Sequence, residues 1–548
     1  MFYLSMRPGI LNPMRIWPVI FLGLITSLAR AEKIVLVPLD SRPASGQFAQ
    51  MIGKIANCDI VMPPYEDLGR FTNPGVPEYI LDWLEKLDFT DVKSVVVSTD
   101  MIAYGGLIAS RTPDTSLATA MHRLRRLEEI RQAHPSVRFY GFSSIMRLYA
   151  TGTKSSARWA MPLGRYEEAK DRYREEGTTA LFQSAQALGA KLPPALISWY
   201  EAARLRDFTV QQELLRMTKK GLFDYCILGQ DDAKQYGPFI PETRKLHSEV
   251  DDLAIGGRIY FCEGIDQLSN VLVSRALLRQ TDWIPRIRIV YSDPDGKMKI
   301  ASYESKDIED SLADQIFASG ARPIDENDPT CDYTLYVNTP GRNEDKFQAF
   351  LMDLNNDADH GIPAAVADID LAKDGTADPE LFNSLLQNGR MTKLLSFAGW
   401  NTAGNTMGTT IPAANVYLFA KKTGTDALER ETAQREFLLH RFVNDYDYHK
   451  FTRPVAYKLI DATPTANREE TYGKDFVMIN DFVKRDLNKH LIDTFDQEFL
   501  GQKFTADNKE YEVSGLDDVK IFLPWPRVYE VRIEFKFQTK EVAPVSDK

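Results

Sequence analysis

Lys33-Ile34-Val35-Leu36-Val37-Pro38 is apolar after its first residue and runs straight into Leu39-Asp40-Ser41-Arg42-Pro43. A strand with one wet face alternates apolar and polar residues. A run that is apolar throughout belongs to a parallel strand covered on both faces. The same wording recurs along the chain. Asp59-Ile60-Val61-Met62 stops at Pro63-Pro64, and Ser94-Val95-Val96-Val97-Ser98 leads into Thr99-Asp100-Met101-Ile102-Ala103-Tyr104-Gly105-Gly106. Arg138-Phe139-Tyr140-Gly141-Phe142 ends in Ser143-Ser144, with Arg147 just beyond. Tyr225-Cys226-Ile227-Leu228 ends in Gly229-Gln230-Asp231-Asp232, and Arg258-Ile259-Tyr260-Phe261-Cys262 in Glu263-Gly264-Ile265-Asp266.

Helical sequence separates these runs, most clearly the amphipathic stretch 117–132. Residues 150–220 are helical and charged, and read as an insertion that forms a lid or wall. Trp283-Ile284-Pro285 looks like a joint. After it, strands at 287–291, 333–337, 364–367 and around Leu394, Leu395 and Phe397 alternate with helices near 308–319, 345–355 and 379–387. Strands alternating with helices imply right-handed crossovers and parallel sheets.

Roughly ten strands are more than the eight of one (β/α) barrel. The expected fold is therefore α/β, with two doubly wound Rossmann-like lobes facing a cleft; a distorted (β/α)8 barrel is the alternative. The predicted boundaries are a first lobe at 32–284, a second at 285–422, and a C-terminal α+β module at 423–540. That module has helices at 427–443 and 475–495 and strands at 510–513, 519–522 and 528–537, and is expected to be structural. A disordered tail is expected at 541–548.

Length agrees with several domains, since 548 residues exceed one ordinary core. An apolar share of 44% beside 26% charged residues is that of a folded globular chain. The net charge of −11 argues against nucleic acid as a partner, because its binders need a basic footprint.

Arg7 and Arg15 precede an apolar stretch at 16–29, and Ala29-Arg30-Ala31 has the small-x-small form of a cleavage site. Residues 1–31 thus read as a signal peptide, with export to the periplasm or the extracellular space. The stretch is short and interrupted, so no membrane insertion is expected after cleavage, a retained N-terminal anchor being the alternative. Cys226 and Cys262 lie in apolar runs. They are expected as buried thiols, with a bridge between them as the other option.

The second lobe ends at Phe397-Ala398-Gly399-Trp400-Asn401-Thr402-Ala403-Gly404-Asn405-Thr406-Met407-Gly408. Glycines let a backbone approach something closely, amides donate and accept, and an indole offers a flat face. The bland reading is a strand-to-helix turn with capping Asn and Thr. Ligands of parallel α/β folds bind at the carboxyl ends of strands. Those ends supply Asp40 and Arg42, Asp100 and Tyr104, Arg147, Asp231 and Asp232, Glu263 and Asp266, Asp368 and Asp370, then Trp400, Asn401 and Asn405. Any one acid there serves equally well as a helix cap.

Asp231-Asp232 is the sharpest feature, since two adjacent carboxyls in a secluded site push one pKa up. Glycoside hydrolysis needs two carboxyls flanking a bond, and Asp100 or Asp368 would be the partner. Asp40, Arg42, Tyr104, Arg147, Glu263, Asp266, Asp370, Trp400, Asn401 and Asn405 would hold substrate, with Trp400 stacking on a sugar face. Asp368-Ile369-Asp370 followed by Asp374-Gly375 offers a weaker divalent-metal reading.

Absences narrow the chemistry. Gly141-Phe142-Ser143-Ser144-Ile145 lacks the last glycine of a nucleophile elbow. No His-Glu-x-x-His pair exists, none of the seven histidines falls at a predicted strand end, and no Gly-x-Gly-x-x-Gly turn follows the first strand. No cofactor or resident metal is expected.

Val37-Pro38-Leu39-Asp40-Ser41-Arg42-Pro43, Ser98-Thr99-Asp100-Met101 with Tyr104-Gly105-Gly106-Leu107, Asp231-Asp232-Ala233, Gly399-Trp400-Asn401-Thr402-Ala403-Gly404-Asn405 and Leu523-Pro524-Trp525-Pro526-Arg527 together resemble a bacterial family catalogued as a domain of unknown function. The Gly-Trp-Asn-Thr block is its most specific element. One departure is Glu263-Gly264-Ile265-Asp266, where a Thr/Ala-Asp-Glu motif is expected. The resemblance points to the site and implies no reaction. The expected function is a secreted hydrolase acting on a carbohydrate-like small molecule or oligosaccharide. A non-catalytic glycan- or solute-binding protein and a metal-dependent hydrolase are the alternatives.

Overall fold

The computed structural model describes residues 32–325, 328–371 and 375–542. The expected signal peptide and residues 543–548 of the expected tail lie outside them.

β1 (Lys33–Val37), β2 (Asp59–Val61), β3 (Val92–Ser98), β4 (Arg138–Ile145), β5 (Tyr225–Gln230) and β6 (Ile259–Glu263) form one parallel sheet in the order β2-β1-β3-β4-β5-β6. Ile34, Val35, Leu36 and Val37 are completely buried, as strands sandwiched between helix layers must be. β7 (Arg286–Tyr291), β8 (Arg322–Pro323), β9 (Tyr333–Asn338), β10 (Ala364–Asp368) and β11 (Ser396–Ala398) form a second parallel sheet, β11-β10-β9-β7-β8. Counted from its own first strand, each lobe is wound 2-1-3-4-5, the first adding a sixth strand at its edge. Two open sheets exclude the barrel. The strand absent from the sequence reading is β8. It is two residues long and ends in proline, so no periodicity marks it.

The lobes meet through the helix Ala403–Thr423, which packs on Gln47–Ile55 and Leu268–Leu278 of the first lobe. Ile52, Val271, Leu272, Ala413, Val416 and Phe419 belong to one buried apolar cluster that crosses the junction. A continuous apolar interface leaves little freedom for a hinge. Two glycines of the Gly-rich block after β11, Gly404 and Gly408, serve this contact. A Cβ on Gly404 would stand 2.7 Å from the Glu263 carbonyl, and one on Gly408 only 2.2 Å from Gln267 Cγ. Gly408→Ala is expected to destabilise the protein by about 1–3 kcal/mol, read from the denaturation midpoint.

The insertion is three helices, Ala157–Glu176, Thr179–Gly189 and Pro194–Lys220. It anchors the exit of β4. Arg204 Nη1 donates to the carbonyls of Met146 and Arg147 (both 2.9 Å), and the Tyr200 hydroxyl donates to those of Arg147 and Leu148 (3.1 and 3.0 Å). The Arg147 backbone is held in place by that clamp.

In the C-terminal region the helix Ala427–Phe442 passes into a π-helical segment, Val443–Thr452, and then into Arg453–Asp461 and Gly473–Glu498. Three antiparallel strands follow, β12 (Lys503–Ala506), β13 (Lys509–Phe522) and β14 (Arg532–Glu541). Here the expectations need correction. The segments 510–513 and 519–522 are one strand, because register shifts at Val513/Gly515 and Asp517/Lys520 absorb the residues that looked like a break. The last strand starts at Arg532 and includes Glu541, so the tail does not begin there.

The segment between β13 and β14 reaches back to the first lobe. Trp525 Nε1 donates to Ser41 Oγ at 2.9 Å and Arg70 Nε donates to the Pro524 carbonyl at 3.1 Å, while at the start of β14 the Ile533 carbonyl accepts from Gln47. Among the described residues, no helix is long and apolar enough to cross a membrane. All four cysteines are free thiols.

Candidate functional site

A small polar pocket lies where the exits of β5 and β6 face the second lobe. β5 delivers Gln230, Asp231 and Asp232 to it. Main-chain bonds from Asp231 N to the Ile145 carbonyl (3.1 Å) and from Leu148 N to the Asp232 carbonyl (2.9 Å) fix this turn against the exit of β4. Each acid has its own arginine. Asp231 accepts from Arg111 Nε at 3.0 Å and from Arg111 Nη2, and from the Asp232 N–H at 2.8 Å; Asp232 accepts from Arg147 Nη2.

These surroundings split the pair. Burial alone would raise Asp231, but Arg111, Arg147 and the Asp232 N–H outweigh it and hold the carboxylate below its ordinary range. Burial raises Asp232, Arg147 offsets this only in part, and the neighbouring Asp231 charge adds to the rise.

β6 exits through Glu263 into Gly264, whose φ of +79° suits glycine, and the Gly264 N–H donates to the Gln230 carbonyl at 2.8 Å. Asp266 forms the next part of the wall. Arg42 grips it through Nη1 (3.1 Å) and Nη2 (2.7 Å) while Nε and Nη2 hold Asp40, and the guanidinium lies 5.0 Å over the Trp525 ring. Asp40 and Arg42 thus stand behind the wall and tie the exits of β1 and β6 together.

The second lobe contributes Tyr303 and Glu304 from the loop before the helix Ile308–Ser319, and Asn401, Thr402 and Asn405 from the exit of β11. Glu304 Oε1 accepts the Gly404 N–H at 2.5 Å, while Oε2 has no protein partner. Burial, reinforced by Glu263, pushes Glu304 up to about 8. Glu263, capped by Ser305 Oγ at 2.5 Å, is also raised by burial.

Thr402 caps the helix Ala403–Thr423 through the Asn405 N–H, so the bland reading of this turn holds too. The amides then chain together. Asn401 Nδ2 donates to Asn405 Oδ1 (2.6 Å), Asn405 Nδ2 to Gln267 Oε1 (2.7 Å), and Gln267 Nε2 to the Glu263 carbonyl (2.8 Å). Asn401 itself sits at φ +59°, and the Tyr529 hydroxyl donates to its Oδ1 at 2.8 Å.

A model of one family matches residues 34–534, from β1 into β14. The chain belongs to the family described as protein of unknown function, DUF4127. No curated protein and no solved structure gives a match. The DUF4127 match covers every residue of the pocket, so the site is a feature of the family's own span.

Not every expected site residue reaches the pocket of this DUF4127 chain. Asp100 lies beneath β4, where its Oδ2 accepts the Ser144 N–H (2.9 Å) and hydroxyl (3.3 Å). Tyr104 is buried beside it under the Arg206 guanidinium, 4.1 Å above the ring. Asp368 ends β10 with its oxygens taken by Asn338 Nδ2 (2.9 Å) and the Asp378 N–H (2.5 Å), and Asp370 faces Asp378 and Arg342. None of the four lines the pocket, so Asp100 and Asp368 are corrected as partners of Asp231.

Trp400 is corrected as well. It is 8% exposed, meets Phe48 edge-on at 5.5 Å and donates its ring N–H to Thr409 Oγ1 at 3.3 Å, so its faces are used in packing. Arg111, Tyr303, Glu304 and Tyr529 are the additions. Among the described residues no three His, Cys, Asp or Glu side chains converge as a metal ion requires, and Asp374 falls outside them.

The Asp100 cluster yields a stability test. Burial, then the nearby Asp207 charge, raises Asp100 to about 7. A raised carboxyl keeps its proton in the folded state after the unfolded chain has lost it, so stability falls as pH rises from about 4 to 7. Asp100→Asn keeps one oxygen for Ser144 and never ionises. Its thermal midpoint is expected to vary less between pH 5 and 8 and to exceed that of the parent at pH 8.

Proposed function

We propose that this protein is a hydrolase acting on a polyhydroxylated, glycan-like substrate by carboxyl general acid/base catalysis. One observation carries the reading: a carboxyl held protonated to about pH 8, Glu304, lines the same pocket as a carboxylate held ionised, Asp231. Two carboxyls whose surroundings drive their pKa values apart mark the acid and its charged partner. Glu304 would protonate the leaving oxygen. Asp231 would serve the other side of the bond, as base or nucleophile, with Asp232 and Arg147 adjacent.

The hydroxyl of Thr402 and the amides of Asn401 and Asn405 suit a ligand rich in hydroxyls. A binding protein that closes on its ligand would need a hinge, which the apolar and glycine-tight lobe junction disfavours. Export is part of the same proposal, and the protein recovered from the host periplasm should begin at Glu32 by mass spectrometry.

The test of function is release of a chromophore from a panel of synthetic glycosides by the full chain. Hydrolysis of at least one, with an alkaline limb near pH 8, supports the reading. No hydrolysis across the panel, or an activity indifferent to Asp231→Asn, overturns it.

A further inference from the structure

The helix Pro194–Lys220 of the insertion turns Tyr200, Arg204, Arg206 and Gln211 inward, and all four are buried, with exposures of 0 to 7%. An arginine is buried this far only when its charge and its donors find partners. The charges are met close by. Arg204 Nε donates to Glu242 Oε1 at 3.0 Å, and Arg206 Nη2 to Asp207 Oδ1 at 2.6 Å. Further donors go to main-chain carbonyls, and these belong to two loops.

The first loop carries Arg111. Arg206 Nη2 donates to the Ser110 carbonyl, and Nη1 to those of Thr112 and Thr115 (2.6 and 3.2 Å). Ser110 and Thr112 are the neighbours of Arg111, so its main chain is held on either side. The second loop is the exit of β4. Gln211 Nε2 donates to the Ser144 carbonyl at 2.8 Å, and Arg204 and Tyr200 hold the carbonyls of Met146, Arg147 and Leu148. Arg147 is thus held at its own carbonyl and at both neighbours.

Arg111 and Arg147 are the two arginines that pair with Asp231 and Asp232. Their side chains have little else to steer them. Beyond its acid Arg111 bonds to Thr151 Oγ1 at 3.2 Å, and Arg147 Nε is buried without a partner. A long side chain with so few contacts keeps its aim only where its main chain is fixed.

We infer that Arg204, Arg206 and Tyr200 are positioning residues for the acid pair: one helix aims Arg111 at Asp231 and Arg147 at Asp232 by holding the main chain around each. Glu242 and Asp207 neutralise Arg204 and Arg206, so these act on the pair through position and not through charge. Asp266, Glu304 and Tyr529 also face the pair, from other elements, and each is bonded elsewhere, to Arg42, Gly404 and Asn401. This positioning needs no substrate, so it stands or falls apart from the hydrolase reading.

The experiment is an NMR titration of the full chain labelled with carbon-13 at the aspartate carboxyls, the two signals being assigned from Asp231→Asn and Asp232→Asn. In the parent, Asp231 should ionise below the ordinary carboxylate range and Asp232 above it. Arg206→Lys keeps a cation beside Asp207 and loses the fork that spans three carbonyls. It should raise Asp231 by about one pH unit or more. Arg204→Lys and Tyr200→Phe loosen Arg147, and should raise Asp232 more than Asp231. A structural role alone would lower the denaturation midpoint and leave both carboxyls where they are, which would overturn the assignment.

Should a lysine variant fail to fold by circular dichroism, Tyr200→Phe decides. It removes the bonds to the Arg147 and Leu148 carbonyls without changing charge or shape, and an unmoved Asp232 overturns the assignment. On a substrate from the glycoside screen, Arg206→Lys should carry the acidic limb of the activity upward by the same interval as Asp231. Shifted carboxyls in a chain that hydrolyses nothing would retain the positioning and reject the hydrolase. Hydrolysis with unshifted carboxyls would do the reverse.

Discussion

Glu304→Gln is expected to lower kcat on the substrate found by glycoside screening by about 10²–10⁴-fold, the usual contribution of a positioned general acid. Glutamine keeps an oxygen for the Gly404 N–H and fills the same space, so the fold should persist. What disappears is the proton. The parent's activity should be flat below pH 8 and fall about tenfold per pH unit above it, as the carboxyl near 8 ionises. The variant's residual activity should lack that limb.

Stability moves the opposite way. The ordinary carboxyl value is 4.5 and the folded one about 8, so the folded state holds a proton that the unfolded state has lost across that interval. The parent therefore loses this part of its stability as pH rises from about 4.5 to 8, and the variant keeps only the fall that other raised carboxyls such as Asp100 impose. At pH 9 the less active protein should be the more stable one. A variant that loses activity together with its fold would make Glu304 a packing residue.

Arg42→Ala is expected to cost about 3–5 kcal/mol, since removing one partner of a buried ionic group leaves the rest uncompensated. Here the remainder is two carboxylates, Asp40 and Asp266, both buried and both gripped by the one guanidinium. The variant also loses the cation over Trp525. Without Arg42 nothing offsets the rise that burial imposes on Asp266, so the deficit should shrink as pH falls and that acid accepts a proton. Urea titrations at pH 5 and pH 8 read that difference. Arg42→Lys should recover little, because an ammonium cannot serve Asp40 and Asp266 through a planar fork. An equal deficit at both pH values would show that Arg42 acts through packing alone.

The strands were legible because burial on both faces removes polar residues from them, as in Val35, Leu36 and Val37. Strand order was not, since it depends on which runs pair across long separations. At the site, the exits of β5, β6 and β11 gave Asp231, Asp232, Asp266, Asn401 and Asn405, which the fold does bring together. The same rule misplaced Asp100 and Asp368, because a strand end also offers main-chain N–H groups that an acid can satisfy from within the lobe.

Arg111 and Glu304 escaped for a different reason. Arg111 follows a four-residue helix, Leu107–Ser110, and Glu304 lies well beyond the end of β7 in a loop before a helix, so neither stands where a strand-end rule looks. Trp400 shows the limit of reading a side chain by its type. An indole's flat face serves a core as readily as a ligand, and only the position of Phe48 decides between them.

The hydrogen bond from Trp525 to Ser41 joins residues 484 positions apart. A chain made from its N-terminus can wind the first lobe early, yet Ser41, Arg42 and the pocket wall they brace wait for the segment that carries Trp525 and Tyr529. Closing so long a loop adds only modestly to the entropic cost, because that cost grows with the logarithm of length. The delay is one of order: the site matures last. A nascent chain would carry Asp231 and Glu304 without the Tyr529 hydroxyl that holds Asn401, and activity should appear only when the end of the chain has docked on its beginning.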